Sequence, residues 1–277
     1  MKDANDARFA ITPETNLVQS FQRDMRFWPV HNPSPELLSA EQISSFNRNG
    51  FLTGLAIFDQ AAAIQHRSYF DQLLSETLSQ GADAYSISSA HLNHGYVYDL
   101  LTHPILVQIA VDLLGPNVIG WGSHFFCKLP EEAKPVHWHQ DVFFWPMSHS
   151  KSITIWLAID DTDEDNGCVL FVPGSHLQGL LPHHDSSHDV LGKQAEYDVD
   201  SSQVIPSPLL AGQASVHADL VVHGSNPNLS TRRRCGLTLR YCSADVEAGL
   251  DWHEKGVVVA GQDLKSHWAN PKRPVNP

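Results

Sequence analysis

The run Val136-His137-Trp138-His139-Gln140-Asp141-Val142-Phe143-Phe144-Trp145 is where this sequence first offers chemistry. On a β-strand, residues i and i+2 leave the same face, so His139 and Asp141 would present an imidazole and a carboxylate roughly 7 Å apart along the chain. Such a pair converges on one ion, and a second histidine from another strand completes a two-His-one-carboxylate set. That set leaves three positions open on iron(II) for a co-substrate and oxygen. His-x-Asp alone is a common tripeptide. A second copy, His217-Ala218-Asp219, must therefore be weighed against the first. Downstream of His139 lies His223, in Val222-His223-Gly224-Ser225-Asn226, and Arg234 stands eleven positions after it. A cation there could hold a co-substrate carboxylate. Downstream of the second copy come His223, which would have to share its strand, then His253 and His267, followed only by Arg273 in a proline-rich tail. The pair at 139 and 141 is preferred.

Capping and periodicity show which elements must position these residues. Residues 1–36 contain Pro13, Pro29, Pro33 and Pro35 with little periodicity, and read as an irregular arm. Ser39-Ala40-Glu41-Gln42 has the form of a capping box, predicting a helix that stops near Asn49-Gly50. Residues 51–58 read as a short strand. Residues 59–80 read as a long helix with Ala63, Phe70, Leu73, Leu74 and Leu78 on its core face, and residues 104–114 as another. From about residue 118 to 243 the apolar runs shorten, and turn clusters such as Asn166-Gly167 and Pro173-Gly174 separate them. Ile153, Ile155, Leu157 and Ile159 alternate with Ser152, Thr154, Trp156 and Ala158, as in a strand with one side on a core. Val216, Ala218, Leu220 and Val222 alternate likewise. The pattern predicts a mainly β protein with flanking α, a sandwich or jelly-roll with the N-terminal helices packed outside. Residues 182–205, rich in His, Ser and Asp, read as a long surface loop or lid. One domain over 37–277 is expected: a helical part to about 117, a core to about 245, and a C-terminal extension over 246–277.

Composition narrows the partners. A chain of 277 residues, 42% hydrophobic and 18% charged, can bury a sizeable core and is neither disordered nor coiled coil as a whole. A net charge of −13 speaks against nucleic acid or an anionic membrane as the main partner. It leaves room for a local basic pocket that takes a small anion. Seventeen histidines is a high count and hints at metal binding or acid–base chemistry. Cys127, Cys168, Cys235 and Cys242 lack CxxC spacing, so no zinc knuckle is expected. The polar N-terminus and the absence of an apolar run of about 18 residues predict a reduced, cytoplasmic protein acting on a small molecule. Oligomeric state stays open.

Further motifs follow in order. Trp156-Leu157-Ala158-Ile159-Asp160-Asp161, Asn166-Gly167, Val172-Pro173-Gly174-Ser175-His176 and His223-Gly224-Ser225-x-Pro227-Asn228 accompany His139-x-Asp141 and Arg234. Leu38-Ser39-Ala40-Glu41-Gln42, with Asn49-Gly50-Phe51, opens the series. Together, over roughly residues 38–245, they resemble phytanoyl-CoA dioxygenase-type enzymes. The resemblance implies a double-stranded β-helix (jelly-roll, cupin-like) core, mononuclear iron(II), 2-oxoglutarate and O2 as co-substrates, and ascorbate as an activator. By position it makes His139, Asp141 and His223 the iron ligands and Arg234 the fork-like partner of the distal 2-oxoglutarate carboxylate. Arg233 should point to the opposite strand face. Because halogenating relatives carry a small residue in place of the carboxylate, Asp141 implies hydroxylation.

Within the family, the length, the Phe143-Phe144-Trp145 run and the His-rich lid look most like bacterial hydroxylases of 2-aminoethylphosphonate. For that substrate Lys128, His137, Asn93 and Tyr98 are the expected phosphonate donors, and Trp145 or Asp189 the expected face for the ammonium. His176 reads as a turn residue, and His183, His184 and His188 as solvated loop residues. The competing class is a cupin-like metal protein that does not use 2-oxoglutarate and would have no need of Arg234.

Overall fold

In a computed structural model describing residues 15–276 apart from 86, 133 and 188, the arm holds one short helix, α1 (Thr15–Gln19). The rest of its described part is irregular, and residues 1–14 lie outside the described residues. Ser39 accepts a hydrogen bond from the Gln42 N–H while the Gln42 side chain accepts from the Ser39 N–H, so the expected box starts α2 (Ala40–Asn49). The helix stops at Gly50, whose φ of 87° is open to a residue without Cβ. After β1 (Phe51–Ala56), Asp59 caps α3 (Gln60–Ser79) by accepting from the Ala62 N–H at 2.9 Å. Ala63, Phe70, Leu73 and Leu74 of α3 face the core, whereas Leu78 is 44% exposed. No residue of that helix beyond Leu74 is buried, because its end runs past the core.

Residues 95–101, for which the sequence suggested no helix, form α4 (Gly95–Leu101), which precedes α5 (Pro104–Leu114). Val97, Leu100 and Leu101 give α4 its buried face. The interleaved polar and aromatic residues hid that spacing in the sequence.

The remaining chain forms two antiparallel sheets. The larger has the order β1-β9-β4-β11-β2-β12, adding β2 (Val118–Lys128), β4 (Ser152–Ala158), β9 (Gln213–Ala218), β11 (Arg234–Ser243) and β12 (Val257–Ala260). The smaller has β3 (Val136–His139), β10 (His223–Ser225), β5 (Val169–Phe171) and β8 (Ile205–Ser207), in that order. They build a jelly-roll with helices on the outer face of the larger sheet. There Ile153, Ile155 and Leu157 pack with Leu237, Leu239 and Tyr241 against Phe70, Leu101, Leu106 and Ile109.

The expectation that only one side of residues 152–159 is packed needs correction. Ser152, Thr154, Trp156 and Ala158 are buried too, since they face the space between the sheets. Those alternate positions are partly polar because they line a site rather than meet water. The wall is tight: a Cβ at Gly236 would stand 2.0 Å from Cζ2 of Trp156. Gly236→Ala should lower stability by about 2 kcal/mol through overpacking, measured by chemical denaturation; an unchanged midpoint would show the wall can give.

Residues 182–205 are more ordered than expected. A two-stranded hairpin, β6 (His183–Asp185) with β7 (Lys193–Ala195), occupies the first part. All four cysteines are buried and free. Among the described residues no single helix is long and apolar enough to cross a membrane.

Candidate active site

His139 ends β3, and Asp141 opens a 3-10 turn, Asp141–Phe144, rather than continuing the strand. The same-face expectation therefore fails in its local geometry, yet the two side chains still converge. His223 enters from β10, directly opposite His139 in the antiparallel pairing. The Nε2 atoms of His139 and His223 lie 3.7 and 3.9 Å from Asp141 Oδ1, and all three groups are buried. One donor atom from each lies within 4.8 Å of the others.

Local chemistry orients all three donors. His139 Nδ1 is 2.8 Å from the carbonyl of His137, and His223 Nδ1 is 3.0 Å from that of Val221. A carbonyl can only accept, so each Nδ1 carries the proton and each Nε2 keeps its lone pair toward Asp141. Thr154 Oγ1–H donates to Asp141 Oδ2 at 2.8 Å, and His217 Nε2 lies 3.4 Å from the same oxygen. Oδ1 is thereby left for the shared centre. Burial opposes ionisation of Asp141, but the neighbouring His139, His217 and His223 rings and the Arg240 guanidinium hold it well below the usual carboxylate range. Two neutral imidazoles and one oriented carboxylate suit a divalent ion such as iron(II). Thr154→Val should weaken iron binding roughly 10- to 100-fold, as titration of the metal would show.

The turn that carries Asp141 is tied down from the arm. Arg23 donates to the carbonyls of Val142, Trp145 and Met147 at 2.5, 2.9 and 3.1 Å. Gln140, between His139 and Asp141, donates from its side chain to the Gly179 and Leu220 carbonyls and accepts from the Leu181 N–H.

The second His-x-Asp pair does not act as one. His217 faces Asp141, while Asp219 accepts from Ser150 Oγ–H at 2.6 Å. The buried Arg234 lines the cavity of the triad, and its Nε donates to the Gly167 carbonyl at 2.8 Å. No described carboxylate forms an ion pair with it. Arg233 points to the other face, onto Asp160 and Asp71.

The sequence pattern of the phytanoyl-CoA dioxygenase family matches residues 57–236, which include the triad and Arg234. The chain belongs to the phytanoyl-CoA dioxygenase family. It is 29% identical over 166 residues to a probable alpha-ketoglutarate-dependent hypophosphite dioxygenase of Stutzerimonas stutzeri, a match spanning 57% of each chain. It is 28% identical over 241 residues to ectoine dioxygenase of Bordetella bronchiseptica, covering 76% of this chain and 77% of that one. Two solved structures share the fold. The apo non-heme monooxygenase ThoJ superposes with a TM-score of 0.74 at 24% identity, over 84% of this chain and 88% of that one. EvdO2 of Micromonospora carbonacea var. aurantiaca with 2-oxoglutarate gives 0.63 at 21%, over 85% and 98%. The expected double-stranded β-helix is thus the fold of this phytanoyl-CoA dioxygenase family member.

The expected substrate residues are scattered in this family member. Lys128 is buried opposite Arg234 on β2, its Nζ donating to the carbonyls of Ser225 and Asn226. Burial, with Arg234 adding to it, lowers its ammonium to about 6. His137 is half-buried; its N–H donates to Asp189 Oδ1 at 3.1 Å. Asn93 is exposed, and the Tyr98 hydroxyl donates to the Pro271 carbonyl. None of these four lines the triad's cavity. Trp145 stands one layer behind it, with its ring 5.3 Å from the guanidinium carbon of Arg240. His176 acts in a turn, bonded to the Asn47 carbonyl. His183 is not solvated: it stacks on Phe143 at 3.9 Å and accepts from the Gln140 N–H. His184 is exposed, and His188 lies outside the described residues. Sequence reasoning missed Thr154, Thr238 and Arg240 and set His217 aside with the second His-x-Asp pair, yet all four line the cavity. The signal for Thr238 and Arg240 was available, since both share the even-numbered face of β11 with Arg234.

Proposed function

We propose that the protein is an iron(II)- and 2-oxoglutarate-dependent dioxygenase that hydroxylates a small molecule. The observation that carries this reading is the convergence of His139, Asp141 and His223 in one buried cavity with a carboxylate-free arginine, Arg234. Iron bound there supplies the activation of O2, coupled to oxidative decarboxylation of 2-oxoglutarate to succinate and CO2. The chain's own part is to place and to exclude. His137 and Val221 carbonyls fix the two imidazole tautomers, Thr154 fixes the carboxylate, and the buried Val169 and Trp156 with the half-buried Phe126 form walls that limit water. Arg234, held by Gly167 and facing the Trp156 ring at 5.2 Å, offers a planar fork to the far carboxylate of 2-oxoglutarate. That cation is what a cupin-like metal protein without 2-oxoglutarate would not need.

The favoured substrate is 2-aminoethylphosphonate, giving 2-amino-1-hydroxyethylphosphonate in phosphonate breakdown. The family resemblance of the chain supports it, and so does a relative that acts on hypophosphite, another reduced phosphorus oxyacid. Asp189, tied to β3 through the His137 N–H, lines a separate cavity with Tyr85 and Lys134 and not that of the triad, so the ammonium acceptor is left unassigned. Incubation with iron(II), ascorbate, 2-oxoglutarate and a panel of phosphonates, amino acids and acyl-CoA esters tests the reading. Phosphorus NMR should show the 1-hydroxy product with one succinate per turnover. Turnover of an amino acid or acyl-CoA instead would remove the phosphonate and keep the oxygenase. With Asp141 in place, added chloride should give no chlorinated product by mass spectrometry.

A further inference from the structure

Arg240 is a buried cation whose task in the chemistry above is limited to a through-space effect on Asp141. It stands on β11 six residues after Arg234, is 6% exposed, and lines the cavity of the triad. Its side chain forms no hydrogen bond or ion pair with any described residue, and its Nε is buried without a partner. The rings of Trp145 and Trp121 lie 5.3 and 6.0 Å from its guanidinium carbon. Ring faces attract a cation, but they leave its in-plane N–H donors unmet. Across the sheet Gly122 gives room for the stem, since a Cβ there would come within 3.3 Å of it. The carboxylate acting on its charge is Asp141, which is already committed to the two histidines and Thr154. A desolvated guanidinium with open donors is unfavourable until an anion completes it. Arg234 differs, because Gly167 already takes one of its donors.

We infer that Arg240 is the receptor for an oxyanion on the primary substrate, a phosphonate, phosphate or carboxylate. It is bound by the planar fork at the far end of the cavity-lining stretch of β11. Calling that molecule the substrate rests on the oxygenase reading, whereas the binding of an anion does not.

The test uses the whole protein under argon, saturated with iron(II) and 2-oxoglutarate, titrated calorimetrically with methylphosphonate, phosphate and acetate. Wild type should bind at least one probe. Arg240→Gln should weaken that probe about 50-fold or more, and Arg240→Lys by less, because a charge without the fork remains. The dissociation constant of 2-oxoglutarate should stay within about twofold in both variants, since Arg234 is untouched. Arg240→Lys keeps the test decisive should the glutamine variant fail to fold. Tighter binding of the phosphorus anions than of acetate assigns a phosphorus oxyacid, and the reverse assigns a carboxylate. Equal binding by wild type and Arg240→Gln, no probe binding by wild type, or weakened 2-oxoglutarate with unchanged probes would each overturn the inference. Failure of the oxygenase reading shows separately: wild type would take up no iron and 2-oxoglutarate, while the probe still loses affinity in Arg240→Gln.

Discussion

An Asp141→Ala protein should keep its circular dichroism spectrum and lose iron-dependent turnover by at least about 10³-fold. The reasoning is graded. Losing a residue that merely orients a metal ligand costs about 10- to 100-fold in affinity or activity. Asp141 is the proposed third donor and, among the described residues, the only carboxylate lining the cavity. Its removal leaves two neutral imidazoles to hold a dication, with Thr154 and His217 pointing at a void. Calorimetric titration with iron(II) should show the binding isotherm flattened, and succinate release should fall with it. Near-wild-type turnover from this variant would sink the ligand assignment.

The second large effect belongs to Arg234. Arg234→Ala should raise the KM for 2-oxoglutarate far more than that for the primary substrate. Truncating one partner of a buried charge pair costs about 2–5 kcal/mol, which is roughly 30-fold to several thousand-fold in binding. Arg234→Lys should recover part of the loss, because it restores charge without the planar fork. If the primary substrate's KM moves and that of 2-oxoglutarate does not, Arg234 has been misassigned. The pairing of this result with the Arg240 titration matters. The two cations sit on one strand face, and each predicts a loss for a different ligand.

What the sequence made legible was local. The Ser39–Gln42 box, the Gly50 stop and the Asp59 and Pro104 helix starts depend on neighbours within four residues, and they are found where expected. The convergence of His139, Asp141 and His223 was legible because residue types and order survive any error in the backbone between them. Asp141 shows the limit, since its side chain reaches the expected place from a 3-10 turn that no periodicity announced. Asn93 and Tyr98 failed for a different reason. Asn93 turns to solvent, and the surroundings of Tyr98 come from the far C-terminus, where the Gly95 N–H donates to the Asn276 carbonyl and the Tyr98 hydroxyl to that of Pro271. No local pattern carries a contact of that range. The buried alternate face of residues 152–158 misled for a third reason. Polar residues on a strand usually mean water, and here they mean a cavity.

β11 carries both cations on one uninterrupted face, and that makes it a ruler. The Cα atoms of Arg234 and Arg240 are about 20 Å apart along the strand, and inward positions recur only about every 7 Å. Positions 234, 236, 238 and 240 are its graduations, with the second anchor now at the last of them. The spacing between the two cations is therefore set in steps, two residues at a time. Moving the guanidinium from 240 to 238, where Thr238 faces inward and donates to the His124 carbonyl, would shorten that spacing by one graduation at the cost of this hydrogen bond. A site built this way changes the size of what it accepts by relocating one charge along a fixed scale.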